Sequence, residues 1–319
     1  MKIVVTGASG FVGKSLIEKL NQKSILTTAV GRKLTSSNAK VFIAIPDFSE
    51  KNIWQQPLID CEVVIHLAAR VHVMREVAES PLEAFRAVNL NGTVNLAQAA
   101  AKAGVKRFIY VSSIKVNGEF TTNKKFIETD IPNPLDSYAI SKWESEKTLR
   151  KIEKETGMEV VILRPPLVYG PGVKANFASL LKLVYRGVPL PLANINNKRS
   201  LIYLGNLVDA IITCTIHPKA VGQTYLVSDN EDVSMAQLIK QIAFSLNQHS
   251  YLFPFPISIM RFFAKSIGKI TSFDRLTQSL VVDSSKIRRE LDWQPPFSMA
   301  QGLKITADWY RKSLGNERF

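Results

Sequence analysis

Lys2-Ile-Val-Val-Thr-Gly7-Ala-Ser-Gly10-Phe-Val-Gly13 opens the chain and decides its fold. An apolar strand-like run leads into three glycines, and the helical pattern Phe11–Leu20 follows at once. The first glycine permits a tight turn, the second lets backbone approach a pyrophosphate, and the third lets the helix pack closely on the strand. The helix N-terminus would present free N–H groups to that anion. The stretch therefore predicts a nucleotide-cofactor loop, with contacts from Gly7, Gly10, Phe11, Val12 and Gly13.

Strand-like and helical patterns alternate through the first half of the chain. Helical patterns cover Pro81–Ala103 and Tyr138–Thr156. Buried strands are predicted at Ile25–Val30, Val41–Ala44, Val63–Leu67, Phe108–Ser112 and Val160–Leu163. Such alternation is typical of right-handed crossovers, so the sequence predicts an α/β fold with a doubly wound parallel sheet.

The pattern changes after Pro165-Pro166 and Gly170-Pro171-Gly172. Helices are then mixed with short strands near Leu201–Tyr203 and Thr224–Val227. The helices are predicted at Asn176–Tyr185, Leu207–Ile216, Ser234–Leu246 and Ser298–Ser313. We expect a cofactor-binding domain at 1–165 and a smaller α/β substrate lobe at 166–319, with the chain free to cross between them.

Composition narrows the class of protein. The 319 residues carry a net charge of +14, which attracts polyanions, yet no nucleic-acid-binding signature is present. Cys61 and Cys214 form neither a metal-ligand spacing nor a disulfide framework. No signal peptide and no membrane-spanning run is expected. The sequence predicts a cytoplasmic protein without a metal site or a nucleic-acid partner.

Tyr138 and Lys142 lie four residues apart in a helical pattern and therefore share one helix face. An ammonium beside a phenol favours the phenolate. We therefore expect Lys142 to lower the pKa of Tyr138 towards the range of a working acid/base.

The end of the second strand bears on cofactor choice. Thr28-Ala-Val-Gly31-Arg32-Lys33 has no acidic residue to bind the adenosine ribose hydroxyls. Arg32 could pair with a 2′-phosphate, which favours NADP(H) over NAD, although NAD with a solvent-facing Arg32 stays open.

Six motifs occur in order along the chain: Gly7-x-x-Gly10-x-x-Gly13, His66-Leu-Ala-Ala69, Asn89-Leu-Asn-Gly-Thr93, Ser112-Ser113, Tyr138-x-x-x-Lys142 and Leu163-Arg-Pro-Pro-Leu-Val-Tyr-Gly-Pro-Gly172. Over essentially its whole length the chain resembles the extended short-chain dehydrogenases/reductases, the Rossmann-like group of nucleotide-sugar epimerases, dehydratases and reductases. It looks closest to a branch near the UDP-glucose 4-epimerases that serves bacterial surface polysaccharide synthesis, such as lipopolysaccharide O-antigen or capsule.

The resemblance implies roles for matching positions. Ser113 matches the serine that hydrogen-bonds the reacting hydroxyl, Tyr138 the acid/base, and Lys142 the residue that holds the nicotinamide ribose. Further cofactor contacts are implied for Asp47, Phe48, Leu67, Ala68, Ala69, Arg70, Asn89, Pro165 and Pro166. Substrate contacts are implied for Ser113, Asn176, Phe177, Arg199 and Arg275, the two arginines on the diphosphate of a UDP-sugar. Leu167 stands where many relatives have asparagine, which removes one polar contact.

The implied chemistry is hydride transfer at sugar C4, either as a 4-epimerase or as a 4-ketoreductase of a UDP-hexose or UDP-N-acetylhexosamine, 4-keto-6-deoxy sugars included. Ile114-Lys115 replaces the Asp-Glu pair of the 4,6-dehydratases. Neither Cys61 nor Cys214 lies in the segment that carries the cysteine of the 3,5-epimerising reductases. Both activities are therefore disfavoured.

Three further expectations concern partners. The aromatic segment 251–273 places Arg261, Lys265 and Lys269 on one predicted helix face, which suits a peripheral membrane contact, although a helix that covers the lobe's core is the plainer interpretation. The chain also resembles, more distantly, epimerases of sugars linked to polyprenyl diphosphate. Family analogy favours a homodimer. A non-catalytic NADP-sensing regulator is the alternative of another class, which the presence of Ser113, Tyr138 and Lys142 disfavours.

Overall fold

The computed structural model describes residues 1–32, 39–48, 50, 52–71 and 79–316. Its strands are β1 (Lys2–Thr6), β2 (Leu26–Gly31), β3 (Val41–Ala44), β4 (Val63–His66), β5 (Arg107–Val111), β6 (Glu159–Arg164), β7 (Leu167–Tyr169), β8 (Arg199–Tyr203), β9 (Thr224–Leu226) and β10 (Asp232–Val233). The predicted strands of the first half are present, with ends that differ by at most one residue.

The helices are α1 (Phe11–Gln22), α2 (Pro81–Phe85), α3 (Gly92–Lys102), α4 (Ser137–Thr156), α5 (Ala175–Tyr185), α6 (Leu204–Ile216), α7 (Met235–Leu246), α8 (Ile257–Ser266), α9 (Ile270–Thr277), α10 (Ser285–Leu291) and α11 (Met299–Asn316). A π-helical stretch, Arg86–Asn91, joins α2 to α3, so the predicted helix Pro81–Ala103 is interrupted. Such stretches are frequent at functional sites, and this one contains Asn89.

A seven-stranded parallel sheet has the order β3-β2-β1-β4-β5-β6-β9. The strand order reverses between β1 and β4, which pair through Ile3–Val63 to Thr6–His66. In open parallel sheets, ligands bind outside the carboxyl ends of the strands at such a reversal. The doubly wound fold is confirmed, and it places the crevice above Thr6 and His66.

Two hydrophobic layers cover the two faces of this sheet. Ile3 and Val5 pack with α1 on one face, whereas Val4 packs on the other face with Leu96 and Leu149 of α3 and α4. The alternation follows from the two-residue period of a strand. Burial on both faces explains why β1 appears in the sequence as a continuous apolar run.

The second half builds a three-stranded sheet, β10-β8-β7, with α5 and the helices from α7 onward. The strand predicted near Thr224–Val227 does not join this small sheet. As β9 it pairs with β6 and forms the edge of the large sheet, so the chain returns to the first layer before it leaves again.

The segment 251–273 does not form the single helix that the spacing of its basic residues suggested. α8 ends at Ser266, Gly268 takes a left-handed φ of +66°, and Lys269 caps the start of α9. Lys269 therefore lies on a different helix from Arg261 and Lys265, and the three do not share one helix face. No helix in the described part of the chain is long and apolar enough to span a membrane.

Candidate active site

The glycine loop is built so tightly that two of its glycines cannot be replaced without movement. Gly7 has φ +68°, and a Cβ on it would lie 2.7 Å from the Ala68 nitrogen. A Cβ on Gly13 would lie 2.2 Å from the Gly7 carbonyl oxygen, well inside contact distance. The loop thus brings the ends of β1 and β4 and the start of α1 together.

The N-terminus of α1 is open to an anion. Gly10 is its N-cap and supplies no side-chain cap, and the first turn carries no acidic residue. Unsatisfied N–H groups and the positive end of the helix dipole therefore face the crevice. Phe11 and Val12 begin the helix and are partly buried. A dinucleotide's pyrophosphate fits this cradle, with Gly7, Gly10 and Gly13 as its walls.

A directional hydrogen-bond chain forms the floor of the crevice. The Thr93 hydroxyl donates to the Asn89 carbonyl at 2.5 Å, so it accepts from His66 Nε2 at 2.9 Å. His66 Nδ1 therefore accepts from the Thr6 hydroxyl at 2.6 Å. Burial, and secondarily the charge of Lys142, lowers the pKa of His66 to about 3. His66 is thus a neutral structural link rather than an acid/base.

Asn89 is buried, with its side-chain amide committed to protein partners. It accepts from the Arg70 nitrogen at 2.8 Å and donates to the Arg70 carbonyl at 3.0 Å and to the Ser141 hydroxyl at 2.9 Å. The expected direct cofactor contact is therefore better described as indirect. Asn89 sets the backbone of the partly buried run Leu67, Ala68, Ala69 and Arg70, which borders the crevice beside Gly7.

The adenosine end of the crevice is bordered by β2 and β3. Arg32 follows β2 and is exposed, and Asp47 is exposed beyond β3. Phe48 is buried edge-on against Trp54, with ring centroids 5.2 Å apart, so its side chain belongs to the core. Lys33 lies outside the described residues.

Tyr138 and Ser113 are brought together by α4 and β5. The Asp136 side chain caps α4 by accepting from the Ala139 nitrogen at 2.8 Å, which fixes the first turn that carries Tyr138. Ser113 follows β5, and its side chain lies close enough to the Tyr138 phenol to oppose the rise in the pKa of that phenol. The hydroxyl groups of both residues thus lie near each other, at the edge of the sheet where the glycine loop lies.

The structure contradicts the expectation that Lys142 lowers the pKa of Tyr138. Desolvation, with the Asp136 charge, raises the pKa of Tyr138 to about 12, and only the bond to Ser113 lowers it. Lys142 Nζ lies 6.0 Å from the Tyr138 ring and instead donates to the Val111 carbonyl at 2.9 Å. The helical spacing was interpreted correctly, but the ammonium points towards β5.

Lys142 is one of the largest fully buried side chains. Its Nζ sits 4.5 Å above the Tyr110 ring, and burial lowers its pKa to about 7, against an opposing effect of Glu146. A lysine with this pKa can lose or regain its charge near neutral pH.

A buried ion pair beneath the site escaped the sequence analysis. Arg164, at the end of β6, binds Glu146 with Nη2 to Oε2 at 2.5 Å and Nε to Oε1 at 3.0 Å. Glu146 also accepts from Ser112 at 2.5 Å, and Arg164 donates to Asn117 at 2.9 Å. The only sequence signal is one of spacing, since Glu146 is one turn beyond Lys142 on α4. The pair ties α4 to β6 directly behind Lys142.

Lys115, which with Ile114 replaces the Asp-Glu pair of the 4,6-dehydratases, organises the mouth of the site. Its Nζ lies 2.5 Å from Asp136 and 2.8 Å from Glu119, and Arg275 approaches Glu119 at 3.4 Å. Burial alone would raise the pKa of Asp136, but Lys115 holds it below its ordinary value. Lys115 thus neutralises the carboxylate nearest to Tyr138.

Arg199 and Arg275 lie side by side at this mouth. Arg199 donates to the Arg275 carbonyl at 3.0 Å and to the Gln278 carbonyl at 3.3 Å. Burial lowers the pKa of Arg199, Glu119 opposes that shift, and the positive charge of Arg275 adds to it. Two close cations in a desolvated position suit a doubly charged anion such as a diphosphate.

The remaining predicted site residues either border the site or belong to the hydrophobic core. Pro165 and Pro166 are buried, and the Pro165 carbonyl accepts from the Ile114 nitrogen at 3.0 Å, so this segment borders Ser113. Asn176 is exposed at the start of α5. Phe177 is 2% exposed and stacks on Tyr169, so the structure removes its side chain from the expected substrate contacts.

Comparisons with known proteins agree with this geometry. The model of the NAD dependent epimerase/dehydratase family matches residues 3–228. A Vibrio cholerae UDP-glucose 4-epimerase is 46% identical over 309 residues, which cover 96% of this chain and 94% of that protein. An Escherichia coli O157:H7 N-acetyl-alpha-D-glucosaminyl-diphospho-ditrans,octacis-undecaprenol 4-epimerase is 28% identical over 326 residues, covering 96% and 94%.

The fold also matches a crystal structure of UDP-glucose 4-epimerase with UDP-glucose from Thermotoga maritima. The TM-score is 0.79 at 25% identity, and the alignment covers 98% of this chain and 100% of that one. With the glycine cradle, the reversed strand order and these matches together, the chain belongs to the NAD dependent epimerase/dehydratase family, within the extended short-chain dehydrogenases/reductases and closely similar to UDP-glucose 4-epimerase.

Proposed function

We propose that the protein moves a hydride at C4 of a UDP-linked hexose or N-acetylhexosamine, with Tyr138 as the acid/base. The observation that carries this proposal is the placement of the Ser113 side chain beside the Tyr138 phenol at the mouth of the cofactor crevice. In the oxidative direction Tyr138 acts as its phenolate: it takes the C4 hydroxyl proton as hydride leaves C4, and a C4 ketone results. In the reductive direction hydride arrives at C4 and Tyr138 returns the proton. The nicotinamide cofactor supplies or accepts the hydride.

The other residues bind and orient. Ser113 donates a hydrogen bond to the C4 oxygen as charge develops there. Lys142 holds the nicotinamide ribose from the floor, while the backbone of Leu67–Arg70 lines the cofactor. Arg199 and Arg275 take the diphosphate, which sets the sugar ring in front of Tyr138. Asn176 lies on the substrate side at the start of α5.

Two reactions fit this chemistry, 4-epimerisation and 4-ketoreduction, and they differ in what happens to the cofactor. A 4-epimerase keeps its cofactor and returns the hydride to the opposite face of C4, whereas a 4-ketoreductase binds reduced cofactor afresh. The exposed Arg32 and the absence of an acid at the end of β2 favour NADP(H) and reduction, for example of a UDP-4-keto-6-deoxy-N-acetylhexosamine. The similarity to UDP-glucose 4-epimerase favours epimerisation with NAD.

One experiment tests the function and separates these directions. Purified protein is incubated with UDP-glucose, UDP-N-acetylglucosamine and a UDP-4-keto-6-deoxy sugar, each with and without NADPH or NADH. Epimerisation gives a C4-inverted product with no net change in reduced-cofactor absorbance, and tightly retained oxidised cofactor. Reduction consumes one reduced cofactor per ketone. No conversion of any of these sugars would contradict the proposal.

A second candidate is the same chemistry on a sugar linked to polyprenyl diphosphate, which places the enzyme at a membrane face. The Escherichia coli relative named for such a substrate and the exposed apolar side of α8 favour it. A diphosphate is common to both substrates, so Arg199 and Arg275 suit either. Conversion of lipid-linked N-acetylglucosamine without conversion of UDP-sugars would select this candidate. Under both candidates we place the product in surface polysaccharide synthesis and expect a homodimer.

A further inference from the structure

The second half of the chain presents an unusual exposed face, here called the α8 surface: Ile257–Ser266 together with Ile267. No residue of α8 is buried. Phe262 is 68% exposed, Phe263 59% and Ile267 66%, so three large apolar side chains stand next to one another in solvent. Each exposed aromatic ring of this size costs free energy in water unless something covers it.

An apolar cavity adjoins this face. It measures about 350 Å³ and is lined by Phe253, Phe255, Met260, Phe263 and Phe273, among others. Phe273 belongs to α9, and Arg275 follows two residues later at the mouth of the catalytic site. The α8 surface is thus continuous, through α9, with the proposed substrate side.

Basic residues predominate around this face. No acidic residue occurs between Asp232 and Asp274, whereas Arg261, Lys265 and Lys269 do. Arg261 pairs with Asp274 at 3.3 Å, and Lys265 and Lys269 are exposed. Exposed aromatic rings beside the exposed Lys265 and Lys269, with Asp274 already paired to Arg261, complement a surface that is both apolar and negatively charged.

We infer that the α8 surface docks on an anionic lipid bilayer, with Phe262 and Phe263 in the headgroup region and Lys265 and Lys269 against the lipid phosphates. A helix that lies in the membrane interface buries an apolar side and keeps its basic residues at the headgroups. α8 and the start of α9 have this composition. The docked bilayer then lies beside Arg275, on the side where the substrate enters. This inference concerns location and does not depend on which sugar is converted.

The test is co-sedimentation of the full chain with phosphatidylcholine vesicles, with and without phosphatidylglycerol. Binding is expected to need phosphatidylglycerol and to weaken as salt rises. The double variant Lys265→Glu, Lys269→Glu should bind at least about tenfold more weakly, since each lysine near an anionic surface contributes to the attraction. The double variant Phe262→Ser, Phe263→Ser should also lose binding, at every salt concentration.

Two matched controls decide whether the α8 surface is responsible. Lys23→Glu with Lys219→Glu changes the net charge equally at exposed lysines elsewhere, and Ile216→Ser removes an apolar side chain that is 65% exposed. Both should bind vesicles as the unaltered protein does. Equal losses in the controls, or no binding at low salt, would overturn the inference.

Two further measurements separate membrane docking from catalysis and from oligomerisation. Turnover of a free UDP-sugar should be unchanged in all of these variants, so a failure of vesicle binding says nothing against the proposed chemistry. Molecular mass in solution is measured without vesicles. If Phe262→Ser, Phe263→Ser dissociates an oligomer, the α8 surface is an interface between copies of the chain and the lipid inference is wrong.

Discussion

The sheet crevice and the α8 surface carry charge in opposite ways. In the crevice Lys142, Glu146 and Arg164 are at most 4% exposed, and Glu146 and Arg164 bind each other at 2.5 Å. On the α8 surface the cations are exposed and no acid lies in the same stretch of sequence. Buried charge must be paired, because its desolvation is costly, whereas exposed charge needs no partner in the same chain. The paired charges of the crevice therefore hold its side chains in place. The exposed charges of the α8 surface are available to a partner outside the molecule.

The largest expected effect tests the crevice itself. Tyr138→Phe removes the hydroxyl that we propose moves the C4 proton, and it leaves the ring in position. Turnover should fall by roughly 10² to 10⁴. Cofactor binding, measured by titration, should stay nearly the same because the glycine cradle is untouched. Tyr185→Phe, on α5 away from the crevice, is the control. Unchanged turnover in Tyr138→Phe would break the catalytic assignment and favour a cofactor-sensing role.

Removing one half of the buried ion pair should have the next largest effect. Glu146→Ala leaves Arg164 charged and buried, which should lower the free energy of unfolding by about 3 to 5 kcal/mol. Glu155→Ala on the same helix removes a side chain that is 58% exposed and pairs with Lys151 at 3.7 Å, so it should change stability by less than about 1 kcal/mol. Chemical denaturation measures both. Equal effects would mean that burial does not distinguish the two ion pairs.

Backbone requirements of the crevice could be predicted from sequence, but its side-chain partners could not. The spacing of Gly7, Gly10 and Gly13 reports a local steric need, so the tight turn between β1 and α1 was predicted correctly. The sequence spacing placed Lys142 on the correct face of α4. The direction of its side chain, however, depends on Val111 and Tyr110, which lie on β5. Phe177 was misassigned because an aromatic residue at a helix start looks the same in sequence whether it faces a ligand or Tyr169.

The second half shows the same limit on a larger scale. β9 is too short for its sequence pattern to show which sheet it joins. Its parallel pairing with β6 places it in the large sheet. The basic spacing in 251–273 suggested one helix, whereas Gly268 divides it. Lys115 and Glu146 were missed as site residues because Asp136 and Arg164, which they bind, lie 21 and 18 residues away in sequence.

Stability should follow the ionisation of Lys142. Its pKa is 10.5 for the free side chain and about 7 in the fold, where burial opposes the charge. Between these values the unfolded chain binds a proton that the folded chain does not, so the free energy of unfolding rises with pH from about 7 to 10. The slope is at most about 1.4 kcal/mol per pH unit. Lys142→Met should remove this rise, as measured by denaturation of the cofactor-free protein. A profile unchanged in Lys142→Met would show that the buried ammonium is not the group responsible.

Lys115 should set the pH at which Tyr138 works. The charged groups that bear on this phenol are Asp136 on its own helix, Lys142 at 6.0 Å from its ring, and Lys115 and Arg275, which face Asp136. Lys115→Met leaves Asp136 less neutralised, so the pKa of Tyr138 rises and the limb of the pH–rate profile that it controls moves up by up to about one unit. Lys115→Arg should restore the original limb. A loss of rate with no shift of that limb would make Lys115 merely structural.

The smallest expected effect belongs to the α8 surface and completes the contrast. Phe262 is 68% exposed, so Phe262→Ser removes little buried area and should change the free energy of unfolding by no more than about 0.5 kcal/mol. Phe177 is 2% exposed within the core, and Phe177→Ala should cost about 3 to 5 kcal/mol. Thermal and chemical denaturation of both variants measure the difference. A large loss in Phe262→Ser would show that the ring supports the fold of this lobe, and its exposure would then no longer indicate a docking face. A negligible loss means that the ring contributes almost nothing to the isolated chain, which is the behaviour of a side chain whose partner lies outside it.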